Sequence, residues 1–127
     1  MPVTVEILVV GSEIVQGRCG ELNSGHISRA LAAIGLEPSR ITLLPDDRSV
    51  IAEEIGCAMD RGDVVIVTGG LGSTVDDLTR RAAIEALGGE TDVRDDIRSA
   101  IEARFRATAQ GEFQVTAIRR PGEDERR

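Results

Sequence analysis

Three short apolar runs, each giving way to a helical repeat, constrain this chain more than any other feature. Val3 to Val10 is nearly continuous in apolar residues and is bounded by Gly11. Leu36 to Leu44 is the second run, ended by Pro45-Asp46-Asp47. Asp63-Val64-Val65-Ile66-Val67-Thr68 is the third; short and β-branched, it reads as a strand buried on both faces. A helix is predicted near Ser24 to Ile34, with Ile27, Leu31 and Ile34 on one face and Gly35 as its C-cap. A second is predicted near Ser49 to Arg61, with Ile51, Ile55, Ala58 and Met59 turned inward. A third opens at Val75 to Asp77, runs to Leu87 and is closed by Gly88-Gly89. A fourth covers about Asp92 to Ala107, and Phe113 to Ile118 reads as a short last strand. Strands alternating with helices at this spacing require right-handed crossovers, hence a parallel α/β sheet covered on both faces.

Such a sheet takes ligands outside the carboxyl ends of its strands. Three loops are therefore expected to meet: Gly11 to Asn23, Asp46-Asp47, and Gly69 to Thr79.

Composition removes several chemistries from that meeting point. All 15 basic residues are Arg, so there is neither a P-loop lysine nor a Schiff-base lysine. A single His, His26, cannot build a His-rich zinc site within one chain. It reads as a surface residue unless a partner makes it an acid or base. With no Trp, no Tyr, two Phe and a net charge of -7, the chain lacks stacking platforms and a cationic face for nucleic acid. No apolar run approaches the ~20 residues that span a bilayer, and the opening MPVTVEILVV does not resemble a signal peptide. Cys19 and Cys57 have no metal-ligand spacing and read as small apolar fillers, reduced in a cytoplasmic protein. One domain is expected at 127 residues, over 1–118, with 119–127 a charged, solvated or disordered tail.

TGGLGSTVDDLT, from Thr68 to Thr79, joins the third strand to a helix. Gly69, Gly70 and Gly72 permit positive φ and let an anion approach bare backbone. The helix start adds unpaired N–H groups, and Ser73, Thr74 and Thr79 add hydroxyls. It is neither a Walker loop nor a dinucleotide fingerprint, and a tight turn without a ligand would use the same glycines. Ser73-x-x-Asp76 and Thr74-x-x-Asp77 both match a capping box. The alternative places Asp77 beside a phosphate, a repulsive arrangement unless a divalent cation lies between them. Asp46, arriving from the neighbouring loop, is the natural second acid, although Pro-Asp-Asp is also ordinary turn chemistry. Glu13, next to Gly11 and Ser12, is a further rim candidate. Asn23 reads either as the first helix's N-cap or as a ligand contact.

Taken together the three loops resemble the molybdopterin-binding domains of the MoaB/MogA/MoeA group, and most of all the N-terminal domain of the CinA (competence/damage-inducible) family. The likeness rests on TGGLGSTVDDLT preceded by DVVIV, on GSEIVQG (Gly11 to Gly17), which is similar to G-T-E-L-L-x-G, on Glu21-Leu22-Asn23 in place of D-T-N, and on Pro45-Asp46-Asp47. It runs from about residue 5 to residue 108.

The resemblance implies a three-layer α/β/α sandwich that forms a homo-oligomer, a trimer or larger. It implies a terminal phosphate or pyrophosphate held by Thr68, Gly69, Gly70, Gly72, Ser73 and Thr74, with Thr79, Gly11, Ser12, Glu13 and Asn23 around it. Asp77 and Asp46 match the functional acids that act with Mg²⁺. The implied ligands are a pterin such as molybdopterin or a nucleotide pyrophosphate. The implied chemistry is hydrolysis of ADP-ribose-type pyrophosphates or, in Mog-type relatives, adenylylation of molybdopterin.

The chain departs from the family at Ser73 (usually Pro), at Leu22 (usually Thr), at His26 (often aromatic) and at its C-terminus. There RRPGEDERR stands instead of a second Gly/Pro-rich pocket loop. A non-catalytic binding module or truncated paralogue is the alternative expectation.

Overall fold

The computed structural model describes residues 2–72, 74–75, 77–107 and 117–119. The chain divides into two compact units, Met1–Leu87 and Gly88–Arg127.

The first unit contains β1 (Val5–Val10), α1 (Ser12–Val15), α2 (Asn23–Ala33), β2 (Pro38–Leu44), α3 (Arg48–Arg61), β3 (Val64–Thr68) and α4 (Thr79–Leu87). Its sheet has the order β2-β1-β3 and is parallel throughout. Ile7 lies level with Ile41 on one side and Ile66 on the other. Successive crossovers move from β1 out to β2 and then back past β1 to β3. With right-handed connections this puts α2 and α3 on opposite faces.

The middle strand is buried along its whole length. Leu8 and Val10 point into a core with Leu44, Ile51, Ala52, Ile55, Ala58 and Ala82, against which Met59, Val65 and Val67 pack. That is the inward stripe expected of α3, closed by α4. Val5, Ile7 and Val9 are buried on the other face, where Ile27 and Leu31 of α2 are half-buried.

Helix ends follow their local chemistry. Gly35 takes φ 79°, with Leu36 N–H donating to Leu31 O and Gly35 N–H to Ala32 O. This Schellman closure is the C-cap expected there. The Asp47 side chain accepts from Val50 N–H at 3.1 Å and starts α3.

Several expectations are corrected. Among the described residues the third run is an edge strand rather than one buried on both faces: Val64 is 42% exposed. Its β-branched content specifies a strand but not a central position. Ile34 is 72% exposed, because it lies beyond the last helical turn. Cys19 and Cys57 are exposed and fill no core; Cys57 falls opposite the Ile51, Ile55, Ala58 stripe on α3. The loop after β1 contains a short helix. The helix expected to open at 75–77 is α4 and begins at Thr79, because Thr74 and Asp77 close a separate turn ahead of it.

The second unit contains β4 (Glu90–Asp92), α5 (Asp95–Ala107) and β5 (Ala117–Arg119). β4 and β5 are antiparallel, with Glu90 opposite Arg119. The strand β4 was not expected; Glu-Thr-Asp has no apolar alternation to reveal it. α5 begins at Asp95, with Asp95 and Asp96 in its first turn and Arg104 and Arg106 in its last, an arrangement that complements the helix dipole. Of the strand expected at Phe113 to Ile118, residues 113–116 lie outside the described residues, as do 120–127 of the expected tail. Among the described residues, no helix is long and apolar enough to cross a membrane.

Candidate functional site

Hydrogen bonds join the carboxyl ends of β1, β2 and β3, all within the first unit. Gly11 N–H donates to Leu44 O at 2.8 Å, which locks the exits of β1 and β2 side by side. One residue further on, Ser12 N–H donates to Asp46 Oδ2 at 3.1 Å, and Asp46 N–H donates to Ser12 Oγ at 2.8 Å. The adjacent acids thus divide their work, with Asp46 binding the β1 loop and Asp47 capping α3. Across the sheet, Asn23 Nδ2 donates to Thr68 Oγ1 at 3.0 Å and brings the start of α2 to the exit of β3.

Asn23 therefore does not cap α2, as one of its two readings had it. The N-cap position is Leu22, which makes no side-chain cap bond. The Glu21 carboxylate accepts from Ser24 N–H at 2.7 Å and from the Ser24 hydroxyl instead. Those bonds hold Glu21 below the usual carboxylate range. No helical signature marks a glutamate two residues before a helix as its cap, so Asn23 was the visible candidate.

The glycine loop needs its glycines. Gly69 has φ 90° and Gly70 φ 63°, values that L side chains rarely adopt. A Cβ on Gly69 would lie 2.2 Å from Val10 O, so the loop passes directly over the end of β1. A Cβ on Gly70 would lie 2.4 Å from Thr79 Oγ1. Thr79, 3% exposed, donates its hydroxyl proton to Gly69 O at 2.7 Å and its N–H to Gly70 O at 3.2 Å.

Asp77 Oδ2 accepts from both the backbone N–H and the hydroxyl of Thr74, while Asp77 N–H donates to Thr74 O at 3.1 Å. These bonds hold Asp77 ionised below its ordinary range, the Thr74 hydroxyl being the main cause. The Thr74–Asp77 half of the capping-box reading survives as an isolated turn two residues ahead of α4. Ser73 and Asp76 lie outside the described residues. Gly72 is packed against the Asp77 carboxylate, with 2.7 Å from a notional Cβ to Oδ2.

Glu13 is exposed and is the first-turn acid of α1. His26 is exposed as well. Among the described residues, no three His, Cys, Asp or Glu side chains cluster as a metal centre. Mg²⁺ does not need such a cage. One or two carboxylates suffice when substrate phosphates and water complete its shell, and Asp46 and Asp77 are hard oxygen donors of the suitable kind.

Residues 6–122 match the family described as a probable molybdopterin binding domain, MoCF_biosynth. This chain belongs to that family.

Among its relatives are CinA-like proteins, as the loop motifs implied. One from Thermosipho melanesiensis is 44% identical over 84 residues, which are 66% of this chain and 21% of that protein. One from Frankia casuarinae is 40% identical over 107 residues, 84% of this chain and 25% of that protein. The chain therefore spans about a quarter or less of the length of these relatives.

The fold is shared with the crystal structure of CinA, a protein of unknown function from Thermoplasma acidophilum. The TM-score is 0.73 at 26% identity, covering 88% of this chain and 64% of that one. It is shared also with the molybdopterin biosynthesis enzyme MoaB of Thermus thermophilus, with a TM-score of 0.59 at 22% identity and coverage of 80% and 63%. These neighbours place the first unit's parallel sheet among α/β folds of the MoaB/MogA type.

Proposed function

We propose that this molybdopterin-binding-type domain binds a phosphorylated pterin or a nucleotide pyrophosphate at the carboxyl ends of β1, β2 and β3. The observation that carries the reading is the Asn23–Thr68 bond of 3.0 Å. It draws the start of α2 to the exit of β3, beside a glycine turn whose backbone a ligand can reach. The chain has no lysine, and the reading assigns the ligand's negative charge to peptide N–H groups of the loop and a divalent cation.

Asp46 and Asp77 are the residues that would hold Mg²⁺, whose contribution when bound is to neutralise phosphate charge and polarise a phosphoryl oxygen. The protein's own part is positional. The loop amides bind the phosphate, and the ionised Asp77 stands at the loop's far end with its orientation set by Thr74. Pyrophosphate hydrolysis of ADP-ribose type is the activity proposed, in a homo-oligomeric cytoplasmic protein. Adenylyl transfer to molybdopterin is the chemistry of the alternative. A non-catalytic binding role is favoured by a separate observation: both acids are already hydrogen-bonded within the protein, Asp46 to Ser12 and Asp77 to Thr74.

The test is to incubate the full chain with ADP-ribose and Mg²⁺, to follow AMP release, and to measure the melting temperature in the same samples. AMP release that fails in Asp77→Asn supports hydrolysis. A raised melting temperature without product supports the binding module. No shift with ADP-ribose, pyrophosphate or a pterin phosphate, with or without Mg²⁺, overturns the reading.

A further inference from the structure

The same buried residue holds two successive carbonyls of the glycine loop. Gly69 O accepts from Thr79 Oγ1 at 2.7 Å, and Gly70 O accepts from Thr79 N–H at 3.2 Å. Among the described residues there is no cis peptide bond. In a trans peptide the N–H of one residue points opposite to the C=O of the residue before it. Fixing Gly69 O on Thr79 therefore turns Gly70 N–H away from Thr79, and fixing Gly70 O turns Leu71 N–H away as well. Two consecutive N–H groups facing one way form a backbone concavity suited to an anion.

We infer that Thr79 is the positioning residue of the phosphoryl site, acting through Gly69 and Gly70 without touching the ligand. The inference rests on the binding reading above and deepens it. Thr79 is 3% exposed and its hydroxyl proton is committed to Gly69 O, so it does not donate that proton to a ligand, the role its hydroxyl suggests in the sequence. Its place in the motif is explained by the loop. A residue is needed there whose backbone N–H and β-hydroxyl are both donors, reaching carbonyls one residue apart. Valine matches the shape but leaves Gly69 O without its hydroxyl donor. Serine retains both donors.

The experiment uses the ¹⁵N-labelled full chain as wild type, Thr79→Ser and Thr79→Val. Residual dipolar couplings of Gly70 and Leu71 N–H are measured without ligand, followed by titration with inorganic pyrophosphate and Mg²⁺. The orientations are expected to match in wild type and Thr79→Ser and to change in Thr79→Val. Pyrophosphate affinity is expected to fall about tenfold in Thr79→Val, the scale of one lost hydrogen bond, and to return in Thr79→Ser.

A folded Thr79→Val protein with unchanged couplings, or with changed couplings and wild-type affinity, overturns the inference. Should Thr79→Val not fold, the wild-type couplings decide: N–H vectors directed toward Thr79 overturn it. A wild type that ignores pyrophosphate, ADP-ribose and a pterin phosphate alike defeats the binding reading alone, because the orientation measurement needs no ligand.

Discussion

Ser12 and Asp46 hold each other twice, through Ser12 N–H to Asp46 Oδ2 and Asp46 N–H to Ser12 Oγ. The pair spans the ends of two neighbouring parallel strands, where no further ladder bond is available. It fixes the loop after β1 to the loop after β2 at the level of Gly11. Ser12→Ala removes one of the two bonds and leaves Asp46 N–H without its acceptor. Ser12 and Asp46 are only partly buried, so water can replace part of what is lost. A loss of about 1 kcal/mol is expected in urea unfolding, with the denaturant slope unchanged.

Glycine substitution separates backbone conformation from close approach. Gly35 and Gly69 both have positive φ, 79° and 90°. Nothing lies within 4 Å of a Cβ on Gly35, whereas a Cβ on Gly69 would meet Val10 O at 2.2 Å. Gly35→Ala is expected to cost about 1 kcal/mol, the left-handed penalty alone. Gly69→Ala adds a backbone clash with the central strand, and about 3 kcal/mol or more is expected. Chemical denaturation of the two variants side by side checks the difference.

Glu6 sits on the central strand, 2% exposed, and accepts from Arg61 Nε and Nη2, each at 2.9 Å. Arg61 also reaches Glu54 at 2.8 Å. The Arg61 guanidinium is the main cause that holds the Glu6 carboxyl below its ordinary value of 4.5, against the opposing effect of burial. A carboxyl depressed on folding contributes stability that is fully present above its unfolded value and is lost as pH falls through the folded one. Stability is therefore expected to be flat in this contribution at neutral pH and to decline below about pH 4.5. Glu6→Gln should flatten part of that decline in pH-dependent thermal unfolding. Arg61→Met alone should destabilise strongly at neutral pH, because the Glu6 charge stays buried without its partner. Glu6→Leu with Arg61→Met should recover most of the loss.

β1, β2 and β3 and their order along the chain are legible in the sequence because each is a short apolar run bounded by turn residues, although only β1 is buried on both faces. Gly35 was legible for a similar local reason, since a Schellman closure is contained in a few residues. The rank of the strands was not. DVVIV is the cleanest strand in composition yet lies at the edge of the sheet formed by the described residues, and position in a sheet depends on partners far along the chain. Cys57 could have been placed by periodicity, since it lies opposite the stripe through Ile51, Ile55 and Ala58. At the site, the meeting of three loops followed from the topology. The division between Asp46 and Asp47 did not, because Pro-Asp-Asp states only that two acids follow a strand. In the sequence Thr79 is one hydroxyl among three; that its partners are carbonyls nine and ten residues earlier is information held only by the folded chain.

Asp77 offers the sharpest test of the acid's role, because Thr74 can be altered without touching the carboxylate. The Thr74 hydroxyl and N–H both bond to Asp77 Oδ2 and keep it ionised below its ordinary value of 3.8. Thr74→Val removes the hydroxyl but leaves the backbone bond. Asp77 is then expected to move back toward 3.8 and to lose part of its fixed orientation. Above pH 6 the carboxylate remains charged in both proteins, so a role limited to charge predicts equal Mg²⁺ dependence. A role that depends on orientation predicts weaker Mg²⁺ response in Thr74→Val at every pH, while Asp77→Asn abolishes it in both backgrounds. The measurement is the Mg²⁺ concentration giving half of the ADP-ribose-induced thermal shift, at pH 4 and pH 7.5. A rise of about threefold to tenfold at both values is expected for Thr74→Val, equivalent to the loss of one exposed hydrogen bond. A change confined to pH 4 would show that the hydroxyl tunes only the charge.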